Sequence, residues 1–429
     1  MIPRPAAVTR ATLTLAALAL ALAPPRLHTA LSPLAEPPDW NALDRYQQSI
    51  TRERFMAELE RVYAPDAAWQ PYIEVGRDSA RILMSSSAPQ RHYTLRFAPA
   101  PEKTRAAPRY WRRASEIGGQ RPGRPLAGAR IALDPGHLGG GFARLEERWF
   151  KVGDNKPVIE GDMTLLVARK LQRLLERKGA DVSLLRRSSR PATNLRPDDL
   201  RDEARAELRR MGVGSPPLDS AERADGGRHA SVRWQSERLF YRSAEIRARA
   251  DRVNRKLRPD LVVALHFNAE PWGDPERPRL RRENHLHLLV NGAYSRAEVG
   301  LDDNRFFMLR RILQGIHAVE LAAAESVAES MAAATGLPPY IYQSNNAIRV
   351  GGNRYVYARN LLANRTYLCP VVYLEPYVMN SREVHARLQA GDYDGLREVA
   401  GKKRPSIYRE YAESVARGLL RYFAAQRGG

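Results

Sequence analysis

Arg130-Ile-Ala-Leu-Asp134, followed at once by Pro135-Gly136-His137-Leu138-Gly139-Gly140, is the stretch whose reading decides the fold. A short apolar run closed by Pro-Gly reads as a buried strand that halts at a histidine. Residues 162–178 come next, with Leu165, Leu166, Ala168, Leu171, Leu174 and Leu175 on one side and Gly179 as a stop. That pattern predicts an amphipathic helix. Residues 180–185 then read as a second strand, 243–257 as a helix and 260–266 (DLVVALH) as a third strand. Residues 285–290 alternate like a fourth strand, 318–335 form an Ala-rich helix ended by Gly336, and 370–375 (PVVYLE) make a fifth strand. A helix over 406–423 closes the chain. Strands alternating with helices predict an α/β fold with a mainly parallel, helix-covered sheet.

Upstream, residues 41–63 carry Leu43, Tyr46, Ile50, Phe55, Leu59 and Val62 at helical spacing. Short strand patterns at 72–75, 80–84 and 93–97 follow, so 38–98 is expected to be a small N-terminal α+β module. Residues 99–127, rich in Pro, Arg and Gly, read as a linker, and 128–425 as the main domain. Within it, about 187–240 is polar and punctuated by Pro and Gly, long for a connection, and reads as an insertion. At the start, Arg4 and Arg10 precede the apolar run 11–23 (ATLTLAALALALA). This is the form of a signal peptide, assigned to 1–30, with an uncleaved anchor as the alternative, and it predicts export to the periplasm or cell envelope.

The chain has 429 residues and a formal net charge of +21, which favours polyanionic surroundings. The basic residues are scattered and lack the regular aromatic interleaving of a single-strand binding surface. With export this disfavours nucleic acid. The single cysteine, Cys369, excludes an intrachain disulfide and any thiolate-built metal cluster. A metal would have to rest on His, Asp and Glu.

In a sheet of this kind, ligands gather beyond the carboxyl ends of the strands. His137, His266 and Glu375 stand at or just past three predicted strand ends, and Glu160 opens the first helix, where the helix dipole favours its charged form. Two imidazoles and a carboxylate suffice for a catalytic zinc, and the remaining carboxylate is placed to accept a proton from water. His285 and His287, two apart, share one face of their strand and read either as substrate contacts or as a polar sheet edge. His317 and His385 sit in helical stretches, and Cys369 reads as a small buried residue.

These words resemble the zinc-dependent N-acetylmuramoyl-L-alanine amidases of the AmiA/AmiB/AmiC and CwlV type, whose fold is phosphorylase/hydrolase-like. The resemblance rests on residues 131–140 around His137, on 159–168 beginning Ile159-Glu160, on Arg249-Ala-Asp-Arg-Val-Asn254, on Val263-Ala-Leu-His266-Phe-Asn268 and on Tyr373-Leu-Glu375-Pro-Tyr-Val-Met-Asn380-Ser. It implies one Zn²⁺ held by His137, Glu160 and His266, with Glu375 catalytic. Asn268 and Arg249 are candidate substrate contacts that orient the rim, or else a helix cap and an ion-pair partner, and His287 is a third candidate contact, on a strand over 284–290 that replaces the family's usual motif. The resemblance implies peptidoglycan as substrate, cut between N-acetylmuramic acid and L-alanine. A monomer is expected, and a protein activator is the partner that a gated site would need. The spacing from His137 to Glu160 exceeds the family's, enlarging the loop 142–157 and making Glu146 or Glu147 a rival ligand; Glu160 is preferred because the helix starts there. Three alternatives stand beside this reading: a zinc peptidase cutting inside the stem peptide, a non-catalytic wall-binding protein, and an exported polyanion binder. The full His-Glu-His-Glu set argues against the last two.

Overall fold

The computed structural model describes residues 31–85, 89–118, 121–214, 218 and 230–427. The signal peptide expected at 1–30, and positions 215–217 and 219–229 of the expected insertion, lie outside them. Among the described residues, no helix is long and apolar enough to cross a membrane.

Seven strands build the central sheet: β4 (Arg130–Pro135), β5 (Asp181–Leu184), β6 (Leu261–Leu265), β7 (Leu286–Val290), β8 (Ile348–Arg349), β9 (Val356–Ala358) and β10 (Val371–Pro376). Their spatial order is β8-β9-β7-β10-β6-β4-β5. Pairings β5/β4, β4/β6, β6/β10 and β7/β9 are parallel, whereas β7/β10 and β8/β9 are antiparallel. The fold is α/β with a mostly parallel sheet flanked by helices, as the strand and helix alternation predicted.

Alternation along the strands divides the side chains between two faces. Ile131, Leu133, Val263, Leu265, Leu286, Leu288, Val372 and Leu374 enter the larger core. It is covered by the helices Glu160–Arg177, Ile316–Thr335 and Ile407–Arg427. Ala132, Val262, Ala264 and Val371 enter the opposite core, against Ala250 and Val253 of the helical segment 232–257. The same face carries His266, two residues beyond Ala264, and Glu375, two beyond Tyr373.

Three expectations need correction. The helix expected over 41–63 is two, Trp40–Tyr46 and Arg52–Glu58 with its extension Leu59–Tyr63; the chain breaks at Gln48, whose φ is 61°, and restarts on the Thr51 N-cap. The helix expected from 243 begins at Val232, capped by the Ser231 side chain, which accepts from the Trp234 N–H. The stretch read as a linker is pinned: Trp111, Ile117 and Leu126 are buried, and Arg112 pairs with Asp260 at 2.7 Å.

The strands β1 (Ile73–Val75), β2 (Ser79–Ser85) and β3 (Arg91–Arg96) form a separate antiparallel sheet. Its core runs without interruption into the main one. Trp40 meets Phe306 edge-on at 5.5 Å, Arg305 donates to the Leu83 carbonyl at 2.6 Å, and Ala293 and Tyr294 donate to the carbonyls of Val62 and Tyr63. The insertion is helical too: Leu200, Ala204 and Leu208, the last two on the helix Arg201–Arg210, pack with Val232, Leu239 and Phe240 against Leu138. It therefore buttresses the turn that carries His137.

Candidate metal centre

The Pro-Gly-His turn is fixed by donors aimed at its carbonyls. Arg249 donates to Asp134 Oδ1 at 2.8 Å and to the Pro135 carbonyl at 2.9 Å, and Arg186 donates to the carbonyls of Pro135 and Gly136. Tyr367 holds the other Asp134 oxygen at 2.6 Å, and Thr164 of the first long helix donates to the Gly136 carbonyl at 2.7 Å. His137 is thereby held at a left-handed φ of 57°. Gly136 is required by close approach, since a Cβ there would stand 2.2 Å from the His266 ring.

Glu160 is the first residue of its helix and almost wholly buried. Its Oε2 lies 3.3 Å from His137 Nε2, and its Oε1 lies 3.2 Å from His266 Nδ1 and accepts from the Phe267 N–H at 3.1 Å. Burial opposes its ionisation, but His137, the hydrogen bond from His266 and Arg148 outweigh it and bring its pKa down to about 2. Burial also drives His137 well below the usual imidazole range, against the pull of Glu160. A neutral imidazole with a free lone pair is the form that binds a metal. The two rings meet edge-on at 5.1 Å, and His266 stacks on Tyr373 at 4.3 Å. One ligand atom each from His137, Glu160 and His266 falls within 4.8 Å of the others, so these residues form a cluster able to hold a metal ion. The donor set, two imidazole nitrogens and a carboxylate oxygen, is one that zinc takes.

Glu375 shares this rim. Its carboxyl accepts no hydrogen bond from any described residue, and burial together with the Glu160 carboxylate pushes its pKa well above the ordinary carboxylate range, against Arg148 and Arg359. It is free to take up and release a proton.

The rival ligands take other places. Glu146 lies behind His137, 3.8 Å from Nδ1, and accepts from the N–H groups of Leu138 and Gly139. Burial raises its pKa to about 7. Glu147 turns away and accepts from Trp234 at 3.3 Å. Arg249 is also an interior brace: 4 % exposed, it directs its guanidinium to Asp134, Glu245 and the backbone of the turn, so it supports His137. Asn268 accepts from the Ala269 N–H at 2.7 Å and approaches His285 at 3.4 Å, on the rim. His287, the other expected contact, is buried on an interior strand, where its Cα pairs with that of Glu375. The polar-edge reading of 285–290 is thereby corrected, because β7 lies between β9 and β10.

Arg148 escaped the sequence reading. Its Nε stands 3.2 Å from Glu160 Oε2, placed there by the hairpin Trp149–Phe150 with Val158–Ile159 and by the Glu160 N–H donating to the Arg148 carbonyl. No local signal announces it.

No protein-family model matches the chain, and no curated protein sequence does. Among solved structures it is similar to the N-acetylmuramyl-L-alanine amidase Ami1 of Mycobacterium abscessus (16 % identity, 69 % of this chain and 99 % of that one, TM-score 0.36). It is also similar to the amidase AmiC2 of Nostoc punctiforme (16 % identity, 71 % and 98 %, TM-score 0.35). A third is the CwlD amidase of Clostridioides difficile in complex with the GerS lipoprotein (13 % identity, 69 % and 98 %, TM-score 0.37). At such identities and TM-scores these likenesses do not place the chain in a family. The functional reading rests on the site.

Proposed function

We propose that this protein is an exported zinc amidase that hydrolyses the amide between N-acetylmuramic acid and L-alanine in peptidoglycan. The observation that carries the reading is the convergence of His137, Glu160 and His266 on one point beside the proton-ready Glu375. The choice of bond rests on the resemblance of the motifs around those four residues. His137, Glu160 and His266 would hold the zinc, which when bound supplies Lewis acidity toward an amide carbonyl. Glu375 takes the proton of the attacking water and delivers one to the leaving amine, so that the carbon–nitrogen bond breaks with a neutral amine departing. Arg148 balances carboxylate charge at the rim. The +21 charge suits an anionic envelope. The helical insertion against Leu138 is where an activating protein would act on the site.

Digestion of purified peptidoglycan sacculi with zinc-loaded protein, followed by mass spectrometry of the products, tests this. Stem peptides freed at the L-alanine amine are expected. Glu375→Gln should bind zinc yet lose about 10²–10⁴ in rate. Cuts inside the stem would make the protein a peptidase instead, and full activity in Glu375→Gln would remove that residue from the chemistry.

A further inference from the structure

The antiparallel strand β7 brings a second set of side chains to the Glu375 rim. The Cα of His287 pairs with that of Glu375 and the Cα of Leu289 with that of Tyr373. Directly opposed residues project from the same face, with Cα atoms about 4.5–5.5 Å apart. His287 therefore stands beside Glu375 on the face that carries His266. Its ring is 3 % exposed and walled by Tyr340 at 5.0 Å and Tyr342 at 5.4 Å.

The hydrogen bonds around this ring decide where its proton sits. Arg359 approaches the Tyr342 hydroxyl at 3.4 Å, and that hydroxyl lies 3.0 Å from His287 Nε2. A guanidinium can only donate. The phenol oxygen accepts from Arg359, and because the hydroxyl meets no other acceptor among the described residues, its own proton points at Nε2. The phenol keeps that proton, since burial pushes its pKa up to about 12. Burial and the neighbouring His285 and Arg359 depress His287 to about 3, so the ring is neutral. A neutral imidazole that accepts at Nε2 carries its hydrogen on Nδ1. That Nδ1 is buried and has no hydrogen-bond partner among the described residues. A buried donor left without an acceptor is costly, and such an orphan beside a reactive carboxyl is matched to a ligand.

We infer that the Nδ1–H of His287 donates to a carbonyl oxygen of the amide substrate beside Glu375, and that Tyr342 and Arg359 are positioning residues that lock this tautomer. The inference rests on the amidase reading for the identity of the substrate, while the tautomer lock stands on the hydrogen bonds alone.

Two measurements on the full zinc-loaded chain test it. Long-range ¹H–¹⁵N correlation on ¹⁵N-histidine-labelled protein, with His287 assigned by its loss in His287→Asn, should show the Nδ1–H tautomer. Tyr342→Phe should release it to a mixture while zinc content and melting temperature hold. In turnover of a soluble muramyl peptide, His287→Ala and His287→Gln should lose about 10²-fold in kcat/KM. His287→Asn, whose amide nitrogen falls near the Nδ1 position, should recover at least tenfold of that. An Nε2–H tautomer in the unmutated protein, or full activity in His287→Ala, overturns the inference while leaving the amidase reading intact. If the unmutated protein cuts no peptidoglycan, the amidase reading and the substrate half of the inference fall together, and the tautomer spectra still decide the lock.

Discussion

Replacing Glu146 by Gln isolates one charge behind the metal ligands. Glu146 is 2 % exposed, faces Nδ1 of His137 and accepts from two backbone N–H groups, whereas Nε2 of the same ring faces Glu160. A carboxylate behind a metal-ligating imidazole fixes its orientation and raises its basicity, and removing such a partner costs about 10–100-fold in metal affinity. The contact here is 3.8 Å, too long for a full hydrogen bond, so it acts through charge and the lower end of that range applies. The expected loss is about tenfold, or about 1.4 kcal/mol. Glutamine keeps an oxygen for the Leu138 N–H, so the turn itself should survive. Chelator competition reads the affinity directly. At saturating zinc the stabilisation conferred by the metal should shrink by the same free energy, which for a chain of this size is about 2 °C in melting temperature. The metal-free melting temperature serves as the control. An affinity within twofold of the unmutated protein, with that control unchanged, would refute the reasoning and leave Glu146 as a clasp for the turn alone.

Gly136→Ala would place a methyl carbon 2.2 Å from the His266 ring, so the protein should fold yet bind zinc at least tenfold more weakly; unchanged affinity by chelator competition would show that the turn can yield. Arg148→Ala removes a cation from the ligand carboxylate and should strengthen zinc binding about tenfold, within the ~1–4 kcal/mol that unit charges 4 Å apart exchange between water and a protein surface; weaker binding would mean that Arg148 organises the site. His317 is buried against Tyr63, and burial with Arg311 lowers it to about 4. Between pH 6.5 and 4 the unfolded chain therefore binds a proton that the folded one refuses, so stability should fall with acidification across that window. His317→Gln should remove up to about 3 kcal/mol of this dependence in denaturant titrations, and a superimposable pH profile would exclude it.

What was legible in the sequence was written in consecutive residues. The Pro135-Gly136-His137 turn, the helix opening on Glu160 and the strand ending at His266 each depend on a few neighbours, and the structure places all three as read. Features made by distant pairing were not legible. Helix Asp302–Gln314 is one: Arg305 and Arg311 are wholly buried because Asp302 and the Leu83 carbonyl meet one, and Glu320 and the Tyr367 carbonyl meet the other. Arg148 reaches Glu160 through a ladder only two residues long on each side, too short to leave a period in the sequence. The alternation over 285–290 was visible, but alternation says nothing of direction, and direction is what matters there.

Strand direction explains why the site has two halves. In the parallel half of the sheet, β4 and β6 deliver His137 and His266 beyond their carboxyl ends, and β10 delivers Glu375 at its own. A further parallel strand beside β10 would bring its last residues to this rim. Because β7 runs the other way, it brings its first ones, and so His287 comes to face Glu375 with Tyr340 and Tyr342 behind it. Glu375 thus stands at the seam where pairing changes from parallel to antiparallel, with metal ligands on one side and a neutral, donor-bearing histidine on the other. On the proposed reading, a carboxyl that receives a proton and releases it to a departing amine would gain from that position, with the metal ligands on one side and the donor that would hold a carbonyl on the other.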